Sequence, residues 1–207
     1  MGSICDCFIL RNMTRIDDVS FDLILCAART HSVWLDKPVA PALLQQIYDM
    51  AKWGPTSMNC CPLRITFISS PDAKAKLKPC LMPGNVDKTM QAPVTALFAY
   101  DREFYEQMAK LWPHSDGKAM FAGQDAMIED AAFRNSTLQA AYFLLAARGL
   151  GLDCGPMSGF DKDAADAAFH NGTKWRSNFL CNLGYGDPSK LRSRDPRLSF
   201  DEAARIA

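Results

Sequence analysis

Apolar residues along the chain follow two spacings, one typical of helices and one of buried strands. They recur every three or four positions in the segment that Pro41 opens and in the Ala-rich stretch 128–148, whereas Val94 to Tyr100 is almost continuously apolar. The predicted elements are helices at 21–28, from 41, at 72–80, 85–91, 128–148 and 161–169 and from 199, with strands at 64–69, 94–100 and 175–185. The aromatic-rich stretch 101–124 has no clear period, so it either covers a ligand or packs as irregular surface structure.

Length and charge favour one domain with a small ligand. The chain has 207 residues, 48% of them hydrophobic, which is enough for a sizeable core, and no linker divides it. We expect a single domain over residues 21–207, preceded by an N-terminal extension of unknown role at 1–20. Because 23 Lys and Arg balance 23 Asp and Glu without long blocks of either sign, we expect neither a nucleic-acid nor a membrane partner.

The eight cysteines predict reduced thiols rather than a disulfide framework. They include no paired CxxC spacing, and a chain of this size folds without cross-links. The three histidines are too dispersed to complete a zinc site, so we expect no metal. Neither a membrane-spanning run nor a secretory leader is evident, so we expect a cytoplasmic protein.

Two loops have the composition of a cofactor site. In 53–64, Gly54 and Pro55 end a helix, and Thr, Ser and Asn then offer short side chains and backbone amides at one turn. The second loop is the glycine-bounded run 155–160, about a hundred residues later. Such loops are more often plain connections, and the pairing of the two with nearby basic residues favours a binding site.

Six short motifs, in this order and at these separations, carry a resemblance to a known family. They are Ala28-Arg29-Thr30-His31, Lys52-Trp53-Gly54-Pro55-Thr56-Ser57 with Asn59, Asn85 with Lys88, Phe133-Arg134-Asn135-Ser136, Gly155-Pro156-Met157-Ser158-Gly159-Phe160, and Gly184-Tyr185-Gly186-Asp187. The chain resembles the FMN-dependent nitroreductases, and among them the malonic semialdehyde reductase branch of uracil degradation (the Rut pathway). The resemblance implies an α+β fold with a central, mainly antiparallel sheet surrounded by helices, assembled as an intertwined homodimer.

The resemblance assigns basic residues from both ends of the chain to the FMN phosphate. Arg29 matches the first phosphate-binding arginine, with Thr30 and His31 beside it, and Arg192 and Arg194 match a C-terminal basic pair. The alternatives are a helix-end arginine, a histidine packed against Trp34, and charge on a solvated tail. The second basic residue that relatives carry a few positions after the arginine is missing, because Ser32 and Val33 occupy that region.

The resemblance assigns other residues to the flavin ring. Residues of the first loop would contact the ring and ribityl chain across the subunit boundary, and residues of the second loop would present backbone amides to it. Lys88 would tune the flavin, although it could also be a surface lysine. The implied set is Pro55, Thr56, Ser57, Asn59, Asn85, Lys88, Asn135, Pro156, Met157, Ser158 and Gly159. Relatives often have Glu at the position of Ser158, and its loss would ease entry of an anionic substrate.

The implied activity is hydride transfer from NADH or NADPH, through FMN, to a small second substrate, with no catalytic side chain. The closer branch implies reduction of malonic semialdehyde to 3-hydroxypropanoate, with Arg64, Arg102 or His114 to bind its carboxylate. One alternative is a broad nitroreductase or quinone reductase, and another is a flavin-binding or thiol-rich module without turnover. We interpret Cys60 and Cys61 as packing thiols, since no basic neighbour in sequence lowers their pKa.

Overall fold

The computed structural model of the protein describes residues 15–207, so residues 1–14 of the N-terminal extension lie outside the described part. Its helices are α1 Asp18–Phe21, α2 Pro41–Ala51, α3 Pro71–Leu77, α4 Pro83–Gln91, α5 Met108–Leu111, α6 Gly117–Phe121, α7 Asp125–Gly149, α8 Lys162–Phe169 and α9 Phe200–Ala203. Its strands are β1 Leu63–Ile68, β2 Val94–Asp101, β3 Asp153–Met157 and β4 Trp175–Gly184. A π-helical turn, Asp22–Cys26, continues directly from α1.

The strands form one antiparallel sheet in the order β1-β2-β4-β3. The two central strands are buried along almost their whole length, which explains why 94–100 is nearly continuous in apolar residues. Alternate residues of β2 face opposite layers: Phe98 packs into a core with Phe143 of α7, and Leu97 packs with Leu77 of α3. The predicted α+β class with a helix-covered antiparallel sheet is confirmed.

Strand β3 corrects one expectation. The run 155–160 was expected to be a turn throughout, yet Gly155, Pro156 and Met157 belong to a strand paired with β4. Proline is tolerated there because β3 is an edge strand whose outer side carries only the isolated bridge between Thr30 and Cys154, so the missing N–H breaks no ladder bond. The turn begins at Ser158. Because Pro156 is unusual within a strand, the sequence did not predict β3.

Two further segments differ from expectation at their boundaries. The first helix begins at Asp18 and its π-turn ends at Cys26, so the residues after it are free to adopt a non-helical course, and Thr30 forms a bridge with Cys154. The stretch 101–124 contains α5, α6 and a 3₁₀ turn. Phe104, Met108 and Phe121 from this stretch are buried in a small core of their own, which favours the packing alternative for these three side chains.

Candidate functional site

A cavity of about 700 Å³ is bounded by the segment after α1, by α4, by the end of α7 and by the C-terminal segment. Basic side chains dominate its lining, with a single carboxylate from Asp195. We call it the basic cavity and define it by its basic residues, Arg29, Lys88, Arg148, Lys190, Arg192, Arg194 and Arg197. Seven basic residues against one acid make it a site for an anion, although the chain as a whole has no net charge.

Arginines from the two ends of the chain are joined at this cavity by reciprocal hydrogen bonds. Arg29 Nη2 donates to the Arg192 carbonyl at 2.6 Å, and Arg194 Nη2 donates to the carbonyls of Cys26 and Ala28 at 2.6 and 3.2 Å. Each guanidinium has further donors, which leaves N–H groups for a ligand. The structure therefore brings together the basic residues that the resemblance assigned to one phosphate.

Thr30 and His31 lie in different environments in the structure. Thr30 lines the basic cavity, whereas His31 does not and is only 6% exposed. The His31 ring lies directly against Gly186, where any β-carbon would clash, and its Nε2 is 3.5 Å from Asp153 Oδ1. Its centroid is 6.4 Å from that of Trp34. The structure therefore favours the packing alternative for His31, and Ser32 takes the exposed place at the cavity.

Helix α4 connects the cavity with the second loop. Lys88 lines the cavity, and Asn85, one turn earlier, donates from Nδ2 to the Gly159 carbonyl at 2.7 Å. A β-carbon at Gly159 would lie 2.5 Å from Asn85 Nδ2, so only glycine permits this approach. The backbone at Lys88 is fixed as well, because its carbonyl accepts from Trp34 Nε1 at 3.0 Å and from Asn182 Nδ2 at 3.1 Å.

A buried polar cluster supports α4 from the sheet side. Lys74 is 5% exposed, and its Nζ donates to the Thr89 carbonyl and to Thr95 Oγ1, both at 2.7 Å. Thr95 Oγ1 in turn donates to Asn182 Oδ1 at 2.7 Å, and Asn182 Nδ2 reaches Thr89 Oγ1 at 3.2 Å. Burial lowers the pKa of Lys74 to about 8. We call Lys74, Thr89, Thr95 and Asn182 the Lys74 network.

The first loop is held in a strained form by its own side chains. Thr56 Oγ1 accepts from the Cys61 amide at 3.2 Å, and Asn135 Oδ1 accepts from the Ser57 amide at 2.8 Å. Met58, Asn59 and Cys61 have φ values of 51°, 52° and 41°. Left-handed backbone costs a non-glycine residue roughly 1–2 kcal/mol, and strain of this kind clusters at ligand sites. Asn135 is 3% exposed, so it positions the loop.

None of the loop residues expected at the flavin ring lines the basic cavity of the same chain. Pro55, Ser57 and Asn59 are exposed, and so are Pro156 and Ser158. Asn59 Nδ2 donates to the Leu111 carbonyl at 2.9 Å. One chain thus supplies a complete anion site, and it presents the first loop at a separate place on its surface.

The charged candidates for a substrate carboxylate are already paired. Arg64 Nη2 contacts Asp101 Oδ2 at 2.6 Å, and Arg102 Nε lies 3.1 Å from Glu129 Oε2. His114 is exposed and packs edge-on to Trp112. Cys60 is buried, and burial with the neighbouring Cys61 raises its pKa to about 11, so it is a protonated packing thiol.

Comparison with known proteins identifies the family. The sequence profile of the Nitroreductase family matches residues 27–185, which is most of the chain. The chain belongs to the nitroreductase family. A protein of Stutzerimonas stutzeri (strain A1501), provisionally named NADH dehydrogenase/NAD(P)H nitroreductase, is 56% identical over 192 residues, covering 93% of this chain and 98% of its own. A similarly named protein of Burkholderia lata is 56% identical over 194 residues, 94% of this chain and all of its own.

Solved structures show the nitroreductase fold. The provisionally named nitroreductase YdfN of Bacillus subtilis superposes with a TM-score of 0.84 at 21% identity, covering 91% of this chain and 99% of that chain. A provisionally named nitroreductase of Exiguobacterium sibiricum, solved in complex with FMN, gives a TM-score of 0.75 at 21% identity over 94% of this chain and 99% of that chain. The protein is thus a nitroreductase-type NAD(P)H-dependent oxidoreductase in family terms.

This member of the family has two features that were not predicted from the sequence. Arg148 was predicted only as the end of the long helix, and a basic residue at a helix end usually complements the helix dipole. Lys74 was predicted only as part of a helix, although its spacing of three from buried Leu77 puts both on one face. Within 15–207 no helix is long and apolar enough to cross a bilayer, and no cluster of His, Cys, Asp and Glu could hold a metal ion.

Proposed function

We propose that the protein binds FMN and transfers hydride from NADH or NADPH to a second substrate. The observation that carries this proposal is the basic cavity, in which Arg29, Lys88, Arg192 and Arg194 converge from three separate parts of the chain. These are the residues that the resemblance assigned to the FMN phosphate, and they lie within a nitroreductase fold. The FMN complex of the Exiguobacterium sibiricum protein supports the same assignment.

The residues present fit the cofactor. The cavity has an excess of positive charge, and Arg29 and Arg194 have N–H donors beyond those that bond to the carbonyls of Arg192, Cys26 and Ala28. Such donors at an open cavity suit the oxygens of a phosphate. FMN, when bound, supplies the hydride chemistry. The chain's own part is to bind the phosphate through Arg29, Arg192 and Arg194 and to keep Lys88 beside the ring.

We propose further that each flavin is held by two copies of the chain. The first loop does not line the basic cavity, so a partner would have to bring its own loop to the ring. Large apolar side chains on α2, on α7 and just before the first loop are between 42% and 66% exposed, which suits a homodimer interface. They are Tyr48, Met50, Trp53, Met127, Phe133, Leu138 and Tyr142. L138D should turn the dimer into a monomer by light scattering and weaken flavin binding, with the exposed and outlying K162D as control.

The acceptor that the structure supports best is a flat nitroaromatic or quinone. Arg64 and Arg102 are neutralised by Asp101 and Glu129, so the cations considered for a small carboxylate are engaged elsewhere. Reduction of malonic semialdehyde to 3-hydroxypropanoate is the second candidate. Ser158 favours it, since this exposed, uncharged residue stands where many relatives have a carboxylate that would repel the substrate.

A visible absorbance spectrum, followed by anaerobic titrations with NADH and with NADPH, tests the proposal. The purified protein should be yellow, or become so with added FMN, and should be reduced anaerobically by NADH or NADPH. A colourless protein that does not bind added FMN would refute it and favour the non-catalytic module. The acceptor is then set by kcat/KM: we expect saturation with nitroaromatics or quinones, and a higher kcat/KM for malonic semialdehyde would reverse the order of the two candidates.

We also propose that the reaction takes place in the cytoplasm. Cys26, Cys60, Cys61, Cys80, Cys154 and Cys181, the cysteines within 15–207, are all free thiols, as expected in a reducing compartment. Fractionation with immunodetection of the native protein would test this placement.

A further inference from the structure

Arg148 occupies the last turn of α7 and lines the basic cavity together with the C-terminal segment. Its Nη1 donates to the Ile24 carbonyl at 3.3 Å, a long hydrogen bond that holds the guanidinium against the π-turn. The acceptor is a neutral carbonyl, and the bond leaves most of the guanidinium donors unused. The side chain is therefore positioned by the protein without being satisfied by it.

The charge of Arg148 has no partner in the described part of the chain. No carboxylate of residues 15–207 lies within ion-pair distance of it, whereas Arg64, Arg102, Arg134 and Arg176 all have acidic partners. Its Nε makes no hydrogen bond to those residues and has almost no accessible surface, so an anion in the cavity would bind through the Nη groups. The side chain is partly exposed and lines the basic cavity. An anion bound there would supply the partner that the guanidinium lacks.

The N-terminal side of the cavity has one basic residue, Arg29, beside the uncharged Thr30 and Ser32. Ser32 is exposed, and it lines the same cavity as Arg148. A cation placed at position 32 would therefore share its ligand space with Arg148.

We propose that Arg148 is a phosphate-binding residue that adds a cation from α7 to the basic cavity. The assignment rests on the proposed binding of FMN, and it adds a residue from the sheet-packing helix to a site otherwise built from chain ends and α4. Through Arg148 the phosphate would also be coupled to the π-turn, because the same guanidinium contacts the Ile24 carbonyl. The ligand class is a phosphomonoester dianion, and a neutral flavin would not need this residue.

The test compares FMN with riboflavin, which has the same ring and no phosphate. In R148Q the charge is gone, and the shorter side chain also loses the hydrogen bond to the Ile24 carbonyl, so riboflavin binding measures any structural effect of the substitution. We expect the dissociation constant for FMN, measured by flavin fluorescence quenching, to rise about ten- to hundredfold. The constant for riboflavin should stay within about twofold, since no contact to the ring is proposed. An equal loss for both ligands, or no loss for either, would overturn the proposal.

Two controls and a rescue complete the experiment. R176Q removes a half-exposed arginine outside the cavity lining, where it pairs with Asp163 and Asp166, and should change neither constant. S32K in the R148Q background returns a cation to the cavity lining and should recover FMN binding without altering riboflavin binding. If S32K recovers nothing, or recovers both ligands alike, a structural role for Arg148 is indicated and the proposal fails.

The outcomes separate this inference from the proposed function. If the wild-type protein binds no FMN, the proposed function fails first. If it binds FMN and R148Q keeps the wild-type ratio of FMN to riboflavin affinity, only the role of Arg148 is refuted. Should R148Q not fold, R148K serves instead: FMN affinity within about fivefold of wild type with unchanged riboflavin affinity supports the proposal, and equal losses for both ligands overturn it.

Discussion

The basic cavity and the Lys74 network both hold cations, and they do so in opposite ways. Lys74 is 5% exposed, and its ammonium donates to two neutral oxygens at 2.7 Å. Arg148 is partly exposed, makes one long hydrogen bond and lines an open cavity. The first cation has its hydrogen-bond partners within the protein, whereas the second keeps donors for an anion in the cavity. Burial alone therefore does not mark a binding residue, and donors left over at a cavity are the better guide.

The two regions meet at α4. Asn182 of the Lys74 network donates a hydrogen bond to the Lys88 carbonyl and so fixes its position. The side chain of Lys88 lines the basic cavity. The network thus determines where the helix lies, and the cavity determines what binds. If this division is right, variants in the Lys74 network should change the stability of the fold, and variants in the basic cavity should change ligand affinity.

The largest effect is expected from removing the paired arginines of the cavity. R29M/R194M should weaken FMN binding by about 4 kcal/mol, roughly a thousandfold, because two charge-assisted contacts are lost. Riboflavin binding should change far less. Isothermal titration with both ligands measures this, and R205M, an exposed arginine outside the cavity lining, is the control. Equal losses for the two flavins would mean that these arginines shape the site without touching a phosphate.

The next largest effect is expected in the Lys74 network. N182A removes a fully buried side chain that bonds to the Lys88 carbonyl, Thr89 and Thr95, and should lower the free energy of unfolding by about 3 kcal/mol. Urea denaturation measures it, with the exposed N171A as control. The ratio of FMN to riboflavin affinity should not change. A selective loss of FMN binding would break the division between the two regions.

The sequence predicted most elements of the fold and a good part of the site, for physical reasons that differ between them. Helices α2, α4 and α7 and strands β2 and β4 follow from apolar spacing, and the Ser199–Glu202 capping box is present as expected. Arg29, Arg192 and Arg194 were found because they belong to local motifs. Strand β3 was hidden by Pro156, whose tolerance depends on being at a sheet edge, and edge position is a property of the assembled sheet.

Arg148, Lys74 and His31 show where local pattern fails. Whether a helix-end arginine is solvated or lines a cavity depends on a C-terminal segment more than 40 residues later in the chain. Lys74 is buried only because α4 and β2 supply oxygens for its ammonium. His31 was placed at the phosphate by its motif, but Gly186 leaves room for its ring to pack inward. In each case the environment of the side chain is determined by residues distant in sequence. The local sequence pattern therefore does not predict that environment.

A smaller effect concerns pH. Burial lowers the pKa of folded Lys74 from its ordinary 10.5 to about 8, so between these values the unfolded chain binds more protons than the folded one. Stability from this residue must then rise with pH, by about 2 kcal/mol between about pH 7.5 and pH 9.5. K74M should lack this rise. Urea denaturation of both proteins at the two pH values tests it, and identical slopes would show that Lys74 does not titrate in this range.

The smallest expected effect concerns salt, which should change FMN binding at the basic cavity but not the stability that the Lys74 network provides. The basic cavity is open to solvent, so raising KCl from about 50 to about 500 mM should weaken FMN binding about fivefold, while riboflavin binding stays constant. The stability difference between wild type and N182A should not respond, because the contacts of Asn182 are buried and uncharged. If FMN affinity does not depend on salt, the ligand is held mainly through its ring. The cations of the basic cavity would then bind an anion other than the FMN phosphate. If the N182A difference depends on salt, the network is coupled electrostatically to the cavity through Lys88, and the two regions are one site.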